Sequence, residues 1–320
     1  MTLPEAQLSW KSYGTLNAGR DNVILYPTSY GATHRDIEWL IGPDRILDPT
    51  KYFIIIADQF GNGCSTSPSN LPESFTGERS PVFTHVDNVT AQARLLDEVF
   101  GVERLALVYG WSMGAQQALH WGVLHPERVE RIAALCGTAK TTGHNLVFLE
   151  GIRSALVTDA AWTGSGFSSR PERGLRALGR FYAGWALSQE FYREETWRSL
   201  GFSSLEDFLV RGWEDLFLAR DAGNLLSMME TWRRSDVSRN ELHNGDLAAA
   251  LGSITARTLI MPGSQDLYFT VEDCRRNAEM IPGATLLPIP SLWGHRAGNP
   301  ANCPEDEHFI RNAIAELLSA

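Results

Sequence analysis

The sequence predicts an α/β protein with a mainly parallel sheet and helices on both of its faces. Short apolar runs typical of buried strands alternate with helical segments in the first part of the chain, and the alternation resumes near the C-terminus. Strands separated by helices at this spacing form parallel sheets, because each parallel connection needs a crossover. The predicted strands are residues 22–26, 52–57, 105–109, 131–136, 257–261 and 284–289.

Flanking residues define the remaining elements. Residues 8–16 alternate loosely between apolar and polar and pass through Gly14, which predicts an edge strand or a hairpin. The last strand contains Pro288 and Pro290, and since proline cannot donate a ladder hydrogen bond, this strand is predicted at an edge of the sheet. Helical spacing predicts helices at residues 36–41, 86–100, 271–280 and 305–318.

Residues 140–256 interrupt the alternation of strands and helices. This segment has no convincing buried strand, but residues 181–191 and 222–232 have helical patterns, and five of the ten tryptophans lie here. A structureless loop of this length is implausible in a compact domain. We therefore predict a helical lid insertion at 140–256 over a core formed by 1–139 and 257–320. An independent domain is the less favoured alternative, because the sheet pattern resumes afterwards.

Composition and charge exclude several classes of partner. The chain has 320 residues, a formal net charge of −10 and no basic run, which argues against binding to nucleic acid or to an anionic membrane. Its N-terminus lacks the pattern of a secretory signal, and no apolar stretch approaches the ~18–20 residues of a membrane span. The four cysteines are scattered, which favours free thiols, so a cytoplasmic location is expected.

The stretch from residue 104 to residue 125 contains the strongest functional signal. Gly110-Trp111-Ser112-Met113-Gly114 follows the apolar run 105–109 and precedes a segment rich in helix-forming residues. A G-x-S-x-G motif between a strand and a helix is typical of a nucleophile elbow, in which a sharp turn exposes the serine hydroxyl. Ser112 is therefore the predicted nucleophile.

A serine hydroxyl needs a base to remove its proton and an acid to orient that base. His295 lies in a polar loop directly after the last predicted strand, whereas His308 lies inside the closing helix. Asp266 follows the strand 257–261, and Asp58, which follows the strand 52–57, is the competing acid. The order serine, acid, histidine that accompanies this motif favours Asp266 and His295.

Two backbone N–H groups should stabilise the negative charge that develops on the substrate oxygen. One belongs to Met113, directly after the nucleophile, and the other should come from the loop that follows strand 22–26. No cofactor and no metal ion are predicted, because the chain contains neither H-E-x-x-H nor G-x-x-x-x-G-K.

These motifs together resemble the homoserine O-acetyltransferase-like branch of the α/β-hydrolases, over nearly the whole chain. The resemblance implies the α/β-hydrolase fold, a helical lid over Ser112, Asp266 and His295, and Ser29 as the second oxyanion N–H donor. It also implies a homodimer formed through the lid helices. The matching pieces are residues 13–17, 23–34, 60–68, 110–114, 125–129, 266–269 and 293–295.

Two positions depart from the pattern of true homoserine acetyltransferases. In that family an aspartate after the catalytic histidine holds the substrate amine, and a lid arginine holds its carboxylate. This sequence has Arg296 at the first place and Ala186 at the second. A zwitterionic substrate would meet a cation and lose its partners, which is strongly unfavourable in a buried site. The chain is therefore more similar to the hydrolase-like members of the family.

We accordingly predict a serine carboxylesterase that acts on small, acetyl-type esters, with a small-molecule ester as its only partner besides a second copy. The candidate pocket residues are Tyr30, Trp111, Trp185 and Arg296. An O-acyltransferase that passes an acetyl group from acetyl-CoA to an alcohol is the main alternative, because it would use the same acyl-enzyme. A non-enzymatic binding protein and a lactone or amide hydrolase remain open.

Overall fold

Seven strands form one sheet in a computed structural model that describes residues 3–319. Their spatial order is β1-β3-β2-β4-β5-β6-β7, and all neighbours are parallel except β1 and β3. The predicted α/β class is confirmed, with an antiparallel strand at one edge. The strands are β1 Trp10–Tyr13, β2 Val23–Pro27, β3 Phe53–Ala57, β4 Leu107–Trp111, β5 Arg131–Leu135, β6 Arg257–Met261 and β7 Thr285–Leu286.

Helices cover both faces of this sheet. The α-helices are α1 His34–Ile37, α2 His85–Leu95, α3 Met113–Leu124, α4 Gly143–Val157, α5 Glu172–Ala186, α6 Gln189–Arg193, α7 Leu205–Asp207, α8 Asp215–Leu218, α9 Ala222–Arg233, α10 Leu247–Gly252, α11 Val271–Met280 and α12 Pro304–Ser319. Leu96–Phe100 and Phe208–Glu214 are π-helical, and Gly294–Gly298 is a short 3-10 helix. Nowhere between residues 3 and 319 is a helix both long and apolar enough to cross a membrane.

The central strands are apolar throughout because both faces of the sheet are covered. Val23 and Leu25 of β2 belong to one buried cluster, together with side chains of α2 and α3. Ile24 and Tyr26 point the other way, into a cluster that α12 completes. This alternation follows from the two-residue period of a strand. The continuous apolar runs that predicted these strands therefore reflect burial on two faces.

The helices between β5 and β6 form one continuous segment of the chain. β5 and β6 are direct neighbours in the sheet, so the chain leaves the sheet after Leu135 and rejoins it beside the same strand at Arg257. Helices α4 to α10 lie between these two points, and the described residues of this stretch form no strand of the sheet. We call residues 140–256 the helical segment.

Some predicted boundaries were wrong. The strand predicted at 105–109 is β4 at Leu107–Trp111, so it runs into the glycine-serine motif and pairs there with β5. The helix predicted at 181–191 is broken, because Leu187 adopts an extended backbone and Ser188 caps a new helix by accepting the Phe191 N–H. Strand 284–289 is reduced to Thr285–Leu286, since Pro288 lacks an N–H for the ladder.

Two histidines are buried between α2 and α3, and neither forms an ion pair with a described residue. His85 and His120 are each 2% exposed, and their ring centroids are 5.1 Å apart. Both contact Gln116: His85 Nε2 lies 3.2 Å from its side-chain oxygen, and His120 Nδ1 lies 2.7 Å from its carbonyl oxygen. Burial lowers the pKa of His85 to about 3 and that of His120 to about 4. At His120 the negative charge of Asp236 acts in the opposite direction and raises the pKa, but burial outweighs it.

The protein is expected to lose stability when the pH falls from 7 to 5. Both histidines stay neutral in the folded state over this range, whereas in the unfolded chain they bind protons below pH 6.5. The unfolded state therefore binds more protons, and each histidine lowers the free energy of unfolding by about 2 kcal/mol at pH 5. Urea unfolding at both pH values measures this loss. A His85→Gln, His120→Gln double variant should show a clearly smaller loss, and an equal loss would contradict the assignment.

Candidate active site

Ser112 lies in a strained turn between β4 and α3. β4 ends at Trp111, and Ser112 is the N-cap of α3 with φ 58° and ψ −124°. A positive φ is unfavourable for a residue with a side chain and costs roughly 1–3 kcal/mol, so the surrounding structure must impose it. The Ser112 N–H continues the sheet ladder by donating to the Leu135 carbonyl oxygen at 2.9 Å. The turn therefore begins directly at the end of the sheet.

Two glycines allow this turn to close. A Cβ atom on Gly110 would overlap the carbonyl group of Gly114, because strand and helix approach each other at this point. A Cβ atom on Gly114 would lie 2.6 Å from the carbonyl oxygen of Pro27, at the end of β2. Neither position has room for a side chain, so the two glycines of the motif are needed for packing.

The structure brings Ser112, His295 and Asp266 together. Ser112 Oγ lies 2.9 Å from His295 Nε2, and His295 Nδ1 lies 2.7 Å from Asp266 Oδ2. The three residues are 2%, 3% and 5% exposed, respectively. They come from three separate places, namely the loops after β4, β6 and β7, which meet at the carboxyl edge of the parallel sheet. In this arrangement the imidazole can take a proton from the hydroxyl while the carboxylate holds it in place.

Backbone groups fix the orientation of the Asp266 carboxylate. Its Oδ1 atom accepts N–H groups of Tyr268 at 2.9 Å and Phe269 at 3.1 Å. Its Oδ2 atom is thereby left to face His295. The backbone of His295 is held as well, since Trp111 Nε1 donates to the His295 carbonyl oxygen at 3.1 Å.

The competing candidates from the sequence lie elsewhere. Asp58 pairs with His34 at 2.7 Å and also accepts a hydrogen bond from Asn62 at 2.8 Å, so its carboxylate is committed to its own loop. His308 lies on α12 and contacts Arg311 and Asn312 of the same helix. Only His295 of the two late histidines approaches Ser112.

The two predicted oxyanion donors are Met113, the residue after Ser112, and Ser29, which lines the same cavity as Ser112. Met113 is the first residue of α3, where an N–H has no acceptor within the helix. Ser29 follows β2, and among residues 3–319 its N–H finds no acceptor. The Ser29 hydroxyl donates to the Trp111 carbonyl oxygen and so ties its loop to the residue before Ser112. Both N–H groups are therefore available to a ligand, and their role as oxyanion donors stays a prediction.

A cavity of about 190 Å³ lies over Ser112 and His295. Three of the four predicted pocket residues line it, namely Tyr30, Trp111 and Arg296. The helical segment and the core both contribute to the remaining wall. Ala186, named in the sequence analysis at the place of the lid arginine, also lines the cavity, and the lining residues that the sequence analysis missed include Ile37, Tyr182, Trp213, Leu216, Phe217, Arg220 and Asn299.

The fourth predicted residue, Trp185, does not line this cavity. Tyr182 and Ala186 are one helical turn apart on α5 and face the cavity, whereas Trp185 is rotated about 100° away from Ala186. Its ring packs behind the wall against Phe148, with centroids 5.3 Å apart. The four-residue spacing of Tyr182 and Ala186 was the sequence signal that could have identified the correct face.

Arg296 carries an unpaired charge into this cavity. Across the described part of the chain, its guanidinium makes neither a hydrogen bond nor an ion pair with another side chain. Burial lowers the pKa of Arg296 from its usual value, while Tyr268 and Tyr182 act in the opposite direction. A cationic ligand group would therefore meet an uncompensated positive charge here.

Two sets of side chains approach the geometry of a metal site. Cys64 lies with His34 and Asp58, and Cys136 lies with Asp266 and His295, with the possible ligand atoms of each set within 4.8 Å of one another. A metal would need the cysteines as thiolates. Burial, followed by the nearby aspartate, raises the pKa of both thiols and so favours their neutral form, and in each set the histidine and the aspartate are hydrogen-bonded to each other.

Comparisons with known proteins place this geometry in context. A family profile described as the alpha/beta hydrolase fold matches residues 23–295. The chain is 42% identical over 328 residues to the ethyl acetate hydrolase of Pseudomonas veronii, covering 99% of this chain and 91% of that enzyme. It is 29% identical over 311 residues to the homoserine O-acetyltransferase of Chlorobium chlorochromatii, covering 92% and 86%, respectively. The solved structure of the acetyl esterase MekB superposes with a TM-score of 0.96 at 40% identity, covering 99% of this chain and 92% of that one.

Proposed function

The chain belongs to the α/β-hydrolase family and is a hydrolase, and from this premise we propose that it is a carboxylesterase with Ser112 as nucleophile. The observation that carries the proposal is that His295 contacts both partners at once. Its Nε2 atom lies 2.9 Å from Ser112 Oγ, and its Nδ1 atom lies 2.7 Å from Asp266 Oδ2. The names of the ethyl acetate hydrolase and of the acetyl esterase support the same chemistry.

In the first half of the proposed reaction, Ser112 Oγ attacks the ester carbonyl carbon and His295 Nε2 takes the hydroxyl proton. The carbonyl oxygen becomes negatively charged and accepts hydrogen bonds from the N–H groups of Met113 and Ser29. When the tetrahedral intermediate collapses, the bond to the alcohol oxygen breaks and His295 returns the proton to it. The alcohol leaves, and the acyl group stays on Ser112 as an ester.

In the second half, water replaces the alcohol and the same groups act in reverse. His295 takes a proton from the water, the hydroxide attacks the acyl-enzyme, and Ser112 leaves with the proton that His295 returns. Asp266 keeps Nδ1 of the imidazole protonated, so that Nε2 is free to accept a proton in each half. No redox step and no external group are needed for this balance.

The size of the cavity supports a small ester. Its volume of about 190 Å³ lies below the ~300–1,000 Å³ typical of drug-sized ligands. Most of the lining is aromatic or aliphatic, with Tyr182, Trp213 and Phe217 on the side of the helical segment. A neutral acetyl-type ester fits such a wall better than a zwitterion does.

We propose that the helical segment is a lid on a core formed by residues 1–139 and 257–320, of which residues 3–319 are described. Six of its residues line the cavity, while Ser112 and His295 come from the core. Substrate enclosed between the two parts would be shielded from bulk water. These lid residues are Tyr182, Ala186, Trp213, Leu216, Phe217 and Arg220.

Acyl transfer to an alcohol is the second candidate, and the likeness to homoserine O-acetyltransferases favours it. Esterase and transferase share the acyl-enzyme and differ only in whether water or an acceptor attacks it. Arg296 opposes homoserine as that acceptor, because its unpaired cation lines the cavity that would receive the substrate amine. Ala186 lines the same cavity and offers no charge to a carboxylate.

Product analysis is expected to show free acetic acid and no transfer. The purified protein should hydrolyse ethyl acetate and p-nitrophenyl acetate, and homoserine should not change the rate. With acetyl-CoA as donor, thiol release should be the same with and without homoserine. Homoserine-dependent consumption of acetyl-CoA, with O-acetylhomoserine as product, would overturn the esterase proposal in favour of transfer.

We further propose a homodimer formed through the helical segment. Apolar side chains are exposed on its outer surface, with Val147 at 64%, Phe181 at 38% and Leu146 at 37%. α4 and α5, which carry them, pack against each other, as shown by the contact of the Phe148 and Phe181 rings. Light scattering after size-exclusion chromatography should give twice the chain mass, and Val147→Glu should shift the protein toward the monomer. A wild-type monomer at micromolar concentration would contradict this proposal.

A further inference from the structure

A second cavity adjoins the one over Ser112. It has a volume of about 180 Å³. Three residues line both cavities, namely Trp213, Leu216 and Arg296, so these side chains form the wall between them. Trp213 and Leu216 belong to the helical segment, whereas Arg296 belongs to the core loop that carries His295.

The second cavity has an apolar lining. Apart from the shared wall, it contains two polar or small residues, Gly212 and Asn302, and no charged one. Its other lining residues are Leu187, Leu200, Phe202, Phe208 and Trp293. A hydrocarbon chain is the ligand chemistry that such a surface accepts, since burial of apolar area is favourable and no polar group needs a partner.

Arg296 is the charged part of the wall. Its guanidinium has no ion pair or hydrogen bond within the described chain, and burial lowers its pKa. Its removal therefore breaks no ion pair and no side-chain hydrogen bond within residues 3–319. The side chain occupies space between the two cavities and places a cation on the path from one to the other.

The position of Arg296 relates the wall to the alcohol part of the substrate. His295 Nε2 must reach the alcohol oxygen to return its proton, so the chain attached to that oxygen leaves the site beside the His295 loop. Arg296 is the next residue of this loop and lines the cavity in which the reaction occurs. A longer alcohol chain would run against Arg296 before it reached the apolar cavity.

We propose that the Arg296 side chain is a partition that limits the length of the alcohol part of the ester, and that the apolar cavity behind it accepts longer alcohols once the partition is removed. This inference rests on the proposed esterase function and adds a specificity-determining residue to it. Leu216 forms the opposite part of the same partition, so it provides an independent route to the same opening.

The test compares kcat/KM for ethyl, butyl and hexyl acetate. In the wild type the values should fall with chain length. In Arg296→Ala the ratio of hexyl to ethyl acetate should rise at least tenfold, since each methylene buried in an apolar cavity is worth about fourfold, converted from about 0.8 kcal/mol. Leu216→Ala should raise the same ratio. Arg296→Met keeps most of the length without the charge, and it should leave the ratio within threefold of the wild type.

Matched controls separate the partition from other causes. Arg193→Ala removes an exposed arginine of the helical segment and should leave the ratio unchanged. Ethyl butanoate and ethyl hexanoate lengthen the acyl part instead, and neither should gain in Arg296→Ala. An unchanged alcohol ratio in both alanine variants, an equal gain in Arg296→Met, or an equal gain in the acyl series would overturn the proposal. Because ratios are compared among active enzymes, a flat ratio leaves the esterase function intact, whereas an inactive wild type overturns both.

Discussion

Replacing Ser112 with alanine is expected to lower kcat for ester hydrolysis by a factor on the order of 10⁶. The hydroxyl is the only group from which the proposed acyl-enzyme can form, and its Oγ atom is the partner of His295 at 2.9 Å. Alanine retains the Cβ atom and meets the same strained φ, so the turn should survive the change. Initial rates with p-nitrophenyl acetate measure the effect, and circular dichroism checks the fold.

The matched control for this variant is Ser154→Ala. Ser154 is an exposed serine of α4 that does not line the cavity, and its loss should leave kcat unchanged. Mass spectrometry gives a second readout, because a phosphonate that labels the wild type should add no mass to Ser112→Ala. If Ser112→Ala retained activity within tenfold of the wild type, another nucleophile would have to be sought.

The parts of the site that depend on a local motif, or on which residue follows which strand, could be predicted from the sequence. The G-x-S-x-G motif encodes its own geometry, because Gly110 and Gly114 are required where strand and helix meet. His295 and Asp266 each follow a strand, and parallel strands bring such loops to one edge. Asp58 also follows a strand, but it precedes Ser112 in the chain, and its pairing with His34 in the structure agrees with the preference for Asp266.

The parts that could not be predicted depend on contacts between distant segments. The sequence between residues 181 and 191 contains no proline, and Ser188, which caps the second helix, is the one local signal for a break after Leu187. The chain contacts the loop that carries His295 at this break, because the Ser188 hydroxyl donates to the Leu292 carbonyl oxygen. A Cβ atom on Gly294 would lie 2.9 Å from the backbone nitrogen of Ser188, so the two segments touch directly. The end of α5, which forms part of the cavity wall, is therefore set by tertiary packing.

Replacing Asp266 with asparagine is expected to lower kcat by about 10⁴-fold while the fold is retained. The reason is that the orientation of the Asp266 carboxylate is fixed. Oδ1 accepts two backbone N–H groups, from Tyr268 and Phe269, and an amide nitrogen cannot take that place. The asparagine oxygen must therefore face the backbone, and its NH₂ group must face His295 Nδ1. The imidazole then accepts at Nδ1 and carries its proton on Nε2, where it can no longer accept the proton of Ser112.

This tautomer explanation predicts a loss in kcat with little change in KM, because the lining of the cavity is untouched. The matched control is Asp58→Asn, which makes the same chemical change in the aspartate that pairs with His34. It should reduce stability but leave kcat within tenfold of the wild type at a temperature where it is folded. An equal loss of kcat in both variants would show that Asp266 acts through folding and not through His295.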